Sequence, residues 1–139
     1  LICNYDKYDR ISNYRLDLIT DIELLDTPAK PMKLVEGLEN GLDLPKHMAE
    51  SIYMFTGKSV NVRFRASTAI INDIIEWFGK GVKFSAVSAD ECEVSVRVSE
   101  EAMFCWALQY GPHVEVLEPA ELRERLKDAI KEMEEKYNK

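Results

Sequence analysis

Residues 58–139 predict an α+β fold, in which two helices cover one face of a four-stranded antiparallel sheet and a third helix follows. Two observations support this. Short segments with an apolar residue at every second position alternate with segments whose apolar residues recur at helical spacing. Glycine, proline or short polar turns separate the segments. Right-handed connections fold the order βαββαβ into a split βαβ, or ferredoxin-like, sandwich, so this architecture with an added C-terminal helix is expected.

The first half of this region predicts a strand, a helix and a second strand. Residues 60–65 alternate between apolar and polar side chains, which is typical of a half-buried strand. Residues 68–78 place six large apolar side chains at helical spacing, and Gly79 is suited to end the helix. Residues 82–86 alternate again, so they predict the second strand.

The second half predicts a strand, a helix, a strand and a final helix. A turn at residues 89–91 leads into the alternating residues 92–98. Ser99 is suited to cap a helix that runs to Tyr110 and packs Trp106 on the sheet. Residues 114–117 predict the fourth strand, and Pro119 begins the last helix. The apolar stripe of that helix comprises Leu122, Leu126, Ile130, Met133 and Tyr137.

The first 57 residues predict a different organisation. Residues 1–5, 11–19 and 22–25 are candidate strands, and they suggest the closing strands of a small barrel whose first strands lie upstream. Position 1 is Leu rather than Met, so the chain is expected to be part of a longer protein. Unpaired strand edges recruit other chains, which predicts a homodimer. One helix is expected in the following connector, from about residue 44 to 55.

Composition excludes several classes of protein. The chain has 139 residues, a net charge of −7 and a pI of about 4.9, so its whole surface does not suit nucleic acid. Its apolar runs are too short to span a membrane, and it shows no signal peptide. Three cysteines without C-x-x-C spacing indicate reduced thiols and no metal site. A cytoplasmic protein is expected.

Catalysis is not expected. His47 and His113 stand alone, and no nucleophile, phosphate-loop or metalloprotease motif is present. An acylphosphatase-type hydrolase is the enzyme alternative, because it shares the sandwich. It needs an arginine on a glycine-rich phosphate loop and a catalytic asparagine, whereas Asn61 and Asn72 have no such loop beside them. We therefore expect a non-enzyme without a cofactor.

The most distinctive charged feature is a set of cations predicted on the open face of the sheet. If the valines face the helices, Arg63, Arg65 and Arg97 face away, and Lys83 joins them from the second strand. The first and third strands are central neighbours in the split βαβ order. The arginines are expected either to pair with Glu93 and Glu115 or to form an anion site or partner surface.

Two stretches carry a family resemblance. The stretch "NYRLDLITDIELLDTPAKP" resembles the end of the WYL domain, an Sm-like β-barrel of bacterial transcription regulators. The segments "VNVRF", "CEVSVRV" and "CWALQYGPHVEVLEPAELRERLKDAI" resemble the WCX extension that follows it. The implied domains are a truncated WYL domain at 1–30, a linker at 31–57 and a WCX domain at 58–139.

The resemblance also implies a function. WYL and WCX domains sense an effector and help dimerisation, while an N-terminal winged helix-turn-helix, missing from this chain, binds operator DNA. The implied effector is anionic, a nucleotide or single-stranded nucleic acid. Arg15 matches the first of two arginines common in the family, whereas Leu18 replaces the second. The candidate ligand-binding residues are Arg15, Arg63, Arg65, Lys83 and Arg97. The alternative is a small ferredoxin-like ligand-binding or dimerisation module without a DNA-linked role.

Overall fold

The computed structural model describes residues 1–5, 7–8, 10–55 and 57–138. The chain forms two compact units, Leu1–His47 and Met48–Lys139, and the architecture is α+β with two antiparallel sheets. Within the described residues, no helix is both long enough and apolar enough to cross a membrane.

The first unit contains one short hairpin. Strands β1 (Ile2–Asn4) and β2 (Ile11–Asn13) pair antiparallel, with Cys3 opposite Ser12. Single 3-10 turns follow at Leu16–Leu18 and Met32–Leu34. The sequence therefore predicted more strand than this unit contains. The second strand ends at Asn13 rather than at residue 19, and the predicted strand at residues 22–25 is absent.

The solvent exposure of residues 22–25 explains why they do not form a strand. Ile22, Leu24 and Leu25 are 82%, 97% and 66% exposed, and no strand among the described residues of this unit pairs with them. An apolar, β-prone sequence forms a strand only where a neighbouring strand accepts its hydrogen bonds.

The connector helix is shorter than predicted. Helix α1 covers Leu44–Glu50, and a 3-10 turn follows at Ile52–Met54 instead of a continuation to Phe55. Tyr53 and Met54 both have positive φ angles, of 57° and 59°, which break the helical path. The turn brings Ile52, 5% exposed, into the core of the second unit.

The second unit is a four-stranded antiparallel sheet with helices α2 and α3 on one face. Strand order across the sheet is β4-β5-β3-β6, with β3 and β5 paired over their full nine residues. The elements are β3 (Ser59–Ser67), α2 (Ile71–Phe78), β4 (Lys83–Ser85), β5 (Glu91–Ser99), α3 (Glu100–Gln109), β6 (Val114–Glu118) and α4 (Ala120–Tyr137).

Trp106 is the centre of the core. It is fully buried, and its ring centroid lies 5.4 Å from that of Phe64 on the sheet and 4.8 Å from that of Phe78 on α2. Phe64 also contacts Phe78, at 6.1 Å between ring centroids, so both helices pack on the same face of the sheet. The predicted burial of Trp106 is confirmed.

Three local features of this unit differ in detail from the sequence pattern. Strand β4 covers only three residues, and Phe84 is 36% exposed because β4 is an edge strand that the helices cover poorly. Ser99 precedes α3, but its buried side chain makes no capping hydrogen bond. In α4 only Leu122 and Leu126 are buried, since the helix continues past the elements that cover its first turns.

Candidate anion-binding face

The sheet face opposite α2 and α3 presents charged side chains because of strand alternation. Along β3, Val62, Phe64 and Ala66 are buried, while Arg63 and Arg65 are partly exposed. In β5 the apolar side chains are likewise buried, and Glu93, Ser95 and Arg97 alternate with them. We call this side the open face, defined by Asn61, Arg63, Arg65, Lys83, Glu93, Ser95, Arg97, Glu115 and Glu118.

Strand register arranges the open face in rows. Lys83 lies opposite Ser95, Ser95 opposite Arg63, and Arg63 opposite Glu118, so one row crosses all four strands. The next row runs through Ser85, Glu93, Arg65 and Glu115 in the same strand order. Residues directly opposite on antiparallel strands share a face and come within contact distance.

Arg63, Lys83 and Arg97 line one shallow groove of about 380 Å³. Asn61, Gly81, Ser95 and Glu118 also line it. Its volume lies within the range of about 300–1,000 Å³ typical of small-molecule sites. Three of the five candidate ligand residues therefore surround a single space, in which amide and hydroxyl groups add neutral hydrogen-bonding capacity.

Each arginine on the open face is already paired with a carboxylate. Arg63 donates to Glu93 at 3.0 Å and to Glu118 at 2.7 Å, and so bridges β5 and β6. Arg97 lies 3.5 Å from Glu50, at the end of α1. The arginine side chains are 39% and 54% exposed, whereas Glu93 and Glu50 are 26% and 17% exposed, so both ion pairs are partly buried. An incoming anion would compete with these carboxylates for the guanidinium donors.

Arg65 belongs to a different part of the face. It donates to Glu115 at 3.1 Å and lies 3.9 Å from both Glu91 and Glu93. It lines a separate depression with His113 and Asp90, in which carboxylates outnumber cations. An acidic surround of this kind disfavours an anion, so Arg65 is less suited to ligand binding than Arg63 or Arg97.

Arg15 lies in the first unit, where it makes a two-pronged contact with Asp17. Its Nε donates to Asp17 at 3.0 Å, and both side chains are exposed, at 73% and 61%. The hydrogen bond from Arg15 lowers the pKa of Asp17. Leu18, which replaces the second family arginine, is 68% exposed within the 3-10 turn.

Two carboxylates of the open face, Glu115 and Glu118, have lowered pKa values. The hydrogen bond that Arg63 donates to Glu118 lowers the pKa of Glu118, and the bonds that Arg63 donates to Glu118 and Glu93 raise the pKa of Arg63. The pKa of Glu115 is lowered chiefly by Arg123, which donates to it at 2.7 Å from α4. All of these groups remain ionised at neutral pH.

Two of these partners were not foreseen from the sequence. Strict alternation places Leu117 beside Arg63, but the β3–β6 register shifts between Arg63 and Phe64, so Glu118 takes that position. A bulge leaves no clear trace in the residue pattern. Glu50 was missed because the prediction placed it inside a longer helix rather than at the last residue of α1.

The second unit is thus an α+β domain whose sheet presents a charged open face. The WCX domain model matches residues 57–133, which is more than half of the chain. The chain therefore belongs to the WCX domain family, in agreement with the resemblance of its second part to the C-terminal region of WYL-type regulators. No curated protein matches the chain significantly.

Proposed function

We propose that this chain is the effector-sensing and oligomerisation region of a WYL-type transcriptional regulator, and that the groove between Arg63, Lys83 and Arg97 binds an anionic effector. The observation that supports this most directly is the convergence of these three cations on one groove of about 380 Å³ in a chain of net charge −7. A nucleotide or a short single strand of nucleic acid has the charge and size for such a groove. Arg15 and Arg65 are retained as secondary candidates.

A route from the groove to the rest of the domain is also proposed. Arg63 holds Glu118, and Glu118 is the last residue of β6, two positions before α4 begins. A phosphate or carboxylate that takes over the Nη2 donor of Arg63 would release Glu118 from β3. Binding would thereby loosen the start of α4, which is the kind of differential contact that couples a ligand to a conformational change.

The remaining parts of the proposal rest on the family and the fold. Strand order β4-β5-β3-β6 supports the ferredoxin-like class. Operator DNA would be bound by a helix-turn-helix elsewhere in a longer protein, and the chain would act as a cytoplasmic homodimer without catalytic activity or cofactor. The domain boundaries at 1–30, 31–57 and 58–139 stay a prediction.

Fluorescence anisotropy with a labelled short single strand of DNA, and competition by nucleotides, tests the anion site. We expect an Arg63→Ala/Arg97→Ala variant to lose most of the affinity. The matched control is Arg125→Ala/Lys131→Ala, which removes the same charge from α4, outside the groove. With three cationic contacts, log K should fall with log salt with a slope of about −2. Equal binding by both variants, with intact melting curves, would refute the site.

A second candidate is a dimerisation module without a ligand. It is favoured by the ion pairs of Arg63 with Glu93 and Glu118 and of Arg97 with Glu50, which give each arginine a carboxylate partner without an anion. A protein that dimerises but binds no anion at low salt would support this function over the first.

A further inference from the structure

A third concavity lies on the helix side of the sheet, where α4 passes the end of α3. Its volume is about 470 Å³. We call it the α4 groove, and its lining residues are Ala107, Leu108, Gly111, Pro112, Val114, Glu115, Val116, Arg123, Leu126, Lys127, Ile130 and Met133. It shares no lining residue with the groove of Arg63, Lys83 and Arg97.

The α4 groove results from a mismatch in length between packed elements. Leu122 and Leu126 anchor the first half of α4 in the core. The apolar stripe continues through Ile130 and Met133, which are 55% and 44% exposed. Helix α3 has already ended at Gln109, and the 3-10 turn Gly111–His113 leads away into β6. A concave apolar space therefore remains between the turn, β6 and α4.

The polar groups around this space are few and mostly cationic. Arg123 donates to the Val116 carbonyl and to Glu115 at 2.7 Å. These two bonds fix its side chain and pair its charge with a carboxylate of the protein. Among the residues that the structure describes, Lys127 forms one ion pair, across an exposed helix turn with Glu124 at 2.6 Å, with side chains 56% and 65% exposed. Such pairs are weak, so the ammonium of Lys127 can exchange Glu124 for a ligand carboxylate at small cost.

We propose that the α4 groove binds a small amphipathic monocarboxylate, such as a medium-chain fatty acid or an aryl carboxylate. The apolar body lies against Leu108, Val114, Ile130 and Met133, and the carboxylate pairs with Lys127. Ligand sites combine a largely apolar lining with a few placed polar groups, and both the volume and the lining fit that description. This inference is independent of the anion site on the open face.

Three probes of equal chain length test the proposal on the 139-residue chain: octanoate, octanol and octyltrimethylammonium. Titration is followed by the methyl NMR signal of Met133, assigned with a Met133→Leu variant. We expect saturable shifts with octanoate, weaker binding of octanol and none of the ammonium probe. Buried Met103 and the methionines outside the groove serve as internal controls.

Variants separate the head group from the apolar body. Lys127→Gln should weaken octanoate binding about fivefold and leave octanol unchanged, as expected for one exposed charge contact. Lys131→Gln, on the same helix but outside the groove, should change neither. Ile130→Trp fills the groove from an exposed position and should abolish binding of both probes without lowering the melting temperature.

Three results would overturn the proposal. If octanoate leaves the Met133 signal unshifted, or if all three probes bind equally, the groove does not select a carboxylate. If wild type binds no probe, and sedimentation shows a dimer that Ile130→Trp dissociates, a second copy of the chain occupies the groove instead.

Discussion

Arg63 donates to Glu118 at 2.7 Å and to Glu93 at 3.0 Å, so that a single guanidinium joins three strands of the sheet. Glu118 pairs with it because of the register shift in the β3–β6 ladder. The proposed anion site and the pH response of the domain both depend on this bridge. An anion would compete with the same carboxylates that protonation would neutralise.

The first prediction concerns pH. Because Arg63 lowers the pKa of Glu118, and Arg123 lowers that of Glu115, both glutamates have lower pKa values folded than unfolded. Their stabilisation is present above the ordinary glutamate pKa of 4.5 and is lost as pH falls through the lowered values. Melting temperature should fall with acidification in that window. A Glu115→Gln/Glu118→Gln variant should show a flatter profile, and an unchanged profile would contradict the assignment.

The second prediction concerns the core. Trp106 is fully buried between Phe64, Phe78 and Tyr110, so Trp106→Ala should destabilise the domain by about 3–5 kcal/mol through lost burial and an unfilled cavity. Denaturant melts measure this loss. Val87→Ala, at a residue 62% exposed, should change stability by no more than about 0.5 kcal/mol. A loss below about 1 kcal/mol for the Trp106 variant would contradict its structural role.

The second unit could be predicted well from the sequence, and the reason is periodicity. Alternation along residues 60–65 and 92–98 placed the valines inside and Arg63 and Arg97 outside, and their burial confirms both faces. Helical spacing around Trp106 identified α3 in the same way. Such patterns are reliable where one face is buried, because a one-residue slip would expose the whole apolar set.

Features that depend on tertiary partners could not be predicted. Glu118 reaches Arg63 through a register shift, and no single strand encodes its partner's register. The apolar residues at 22–25 suggested a strand, but the described part of the first unit supplies no partner strand for them. The α4 groove depends on where α3 ends relative to α4, which is a relation between two elements rather than a motif.

The third prediction concerns backbone strain at Ala86. This exposed alanine follows β4 with a φ of 48°, a left-handed conformation that costs a residue with a Cβ about 1–2 kcal/mol. Ala86→Gly should therefore stabilise the domain by about 0.5–1 kcal/mol, after the entropic cost of glycine. Ala86→Val is the opposite control and should destabilise it. Denaturant melts measure the free energy of unfolding of both variants. If Ala86→Gly destabilises the domain, the backbone at Ala86 is not strained.

The last prediction concerns self-association of the first unit. Ile22 and Leu24 are 82% and 97% exposed, and β1 and β2 form a two-stranded sheet whose outer edges lack further strands among the described residues. Exposed edges and apolar side chains of this kind recruit a second chain, so we expect a dimer in sedimentation equilibrium. Ile22→Glu/Leu24→Glu should shift it to monomer, because burying two carboxylates in an apolar contact is costly. Val87→Glu, at an apolar position of the second unit that is 62% exposed, should leave the dimer intact. A wild-type chain that stays monomeric at high concentration, or a dimer that only Val87→Glu dissociates, would show that the first unit is not the interface.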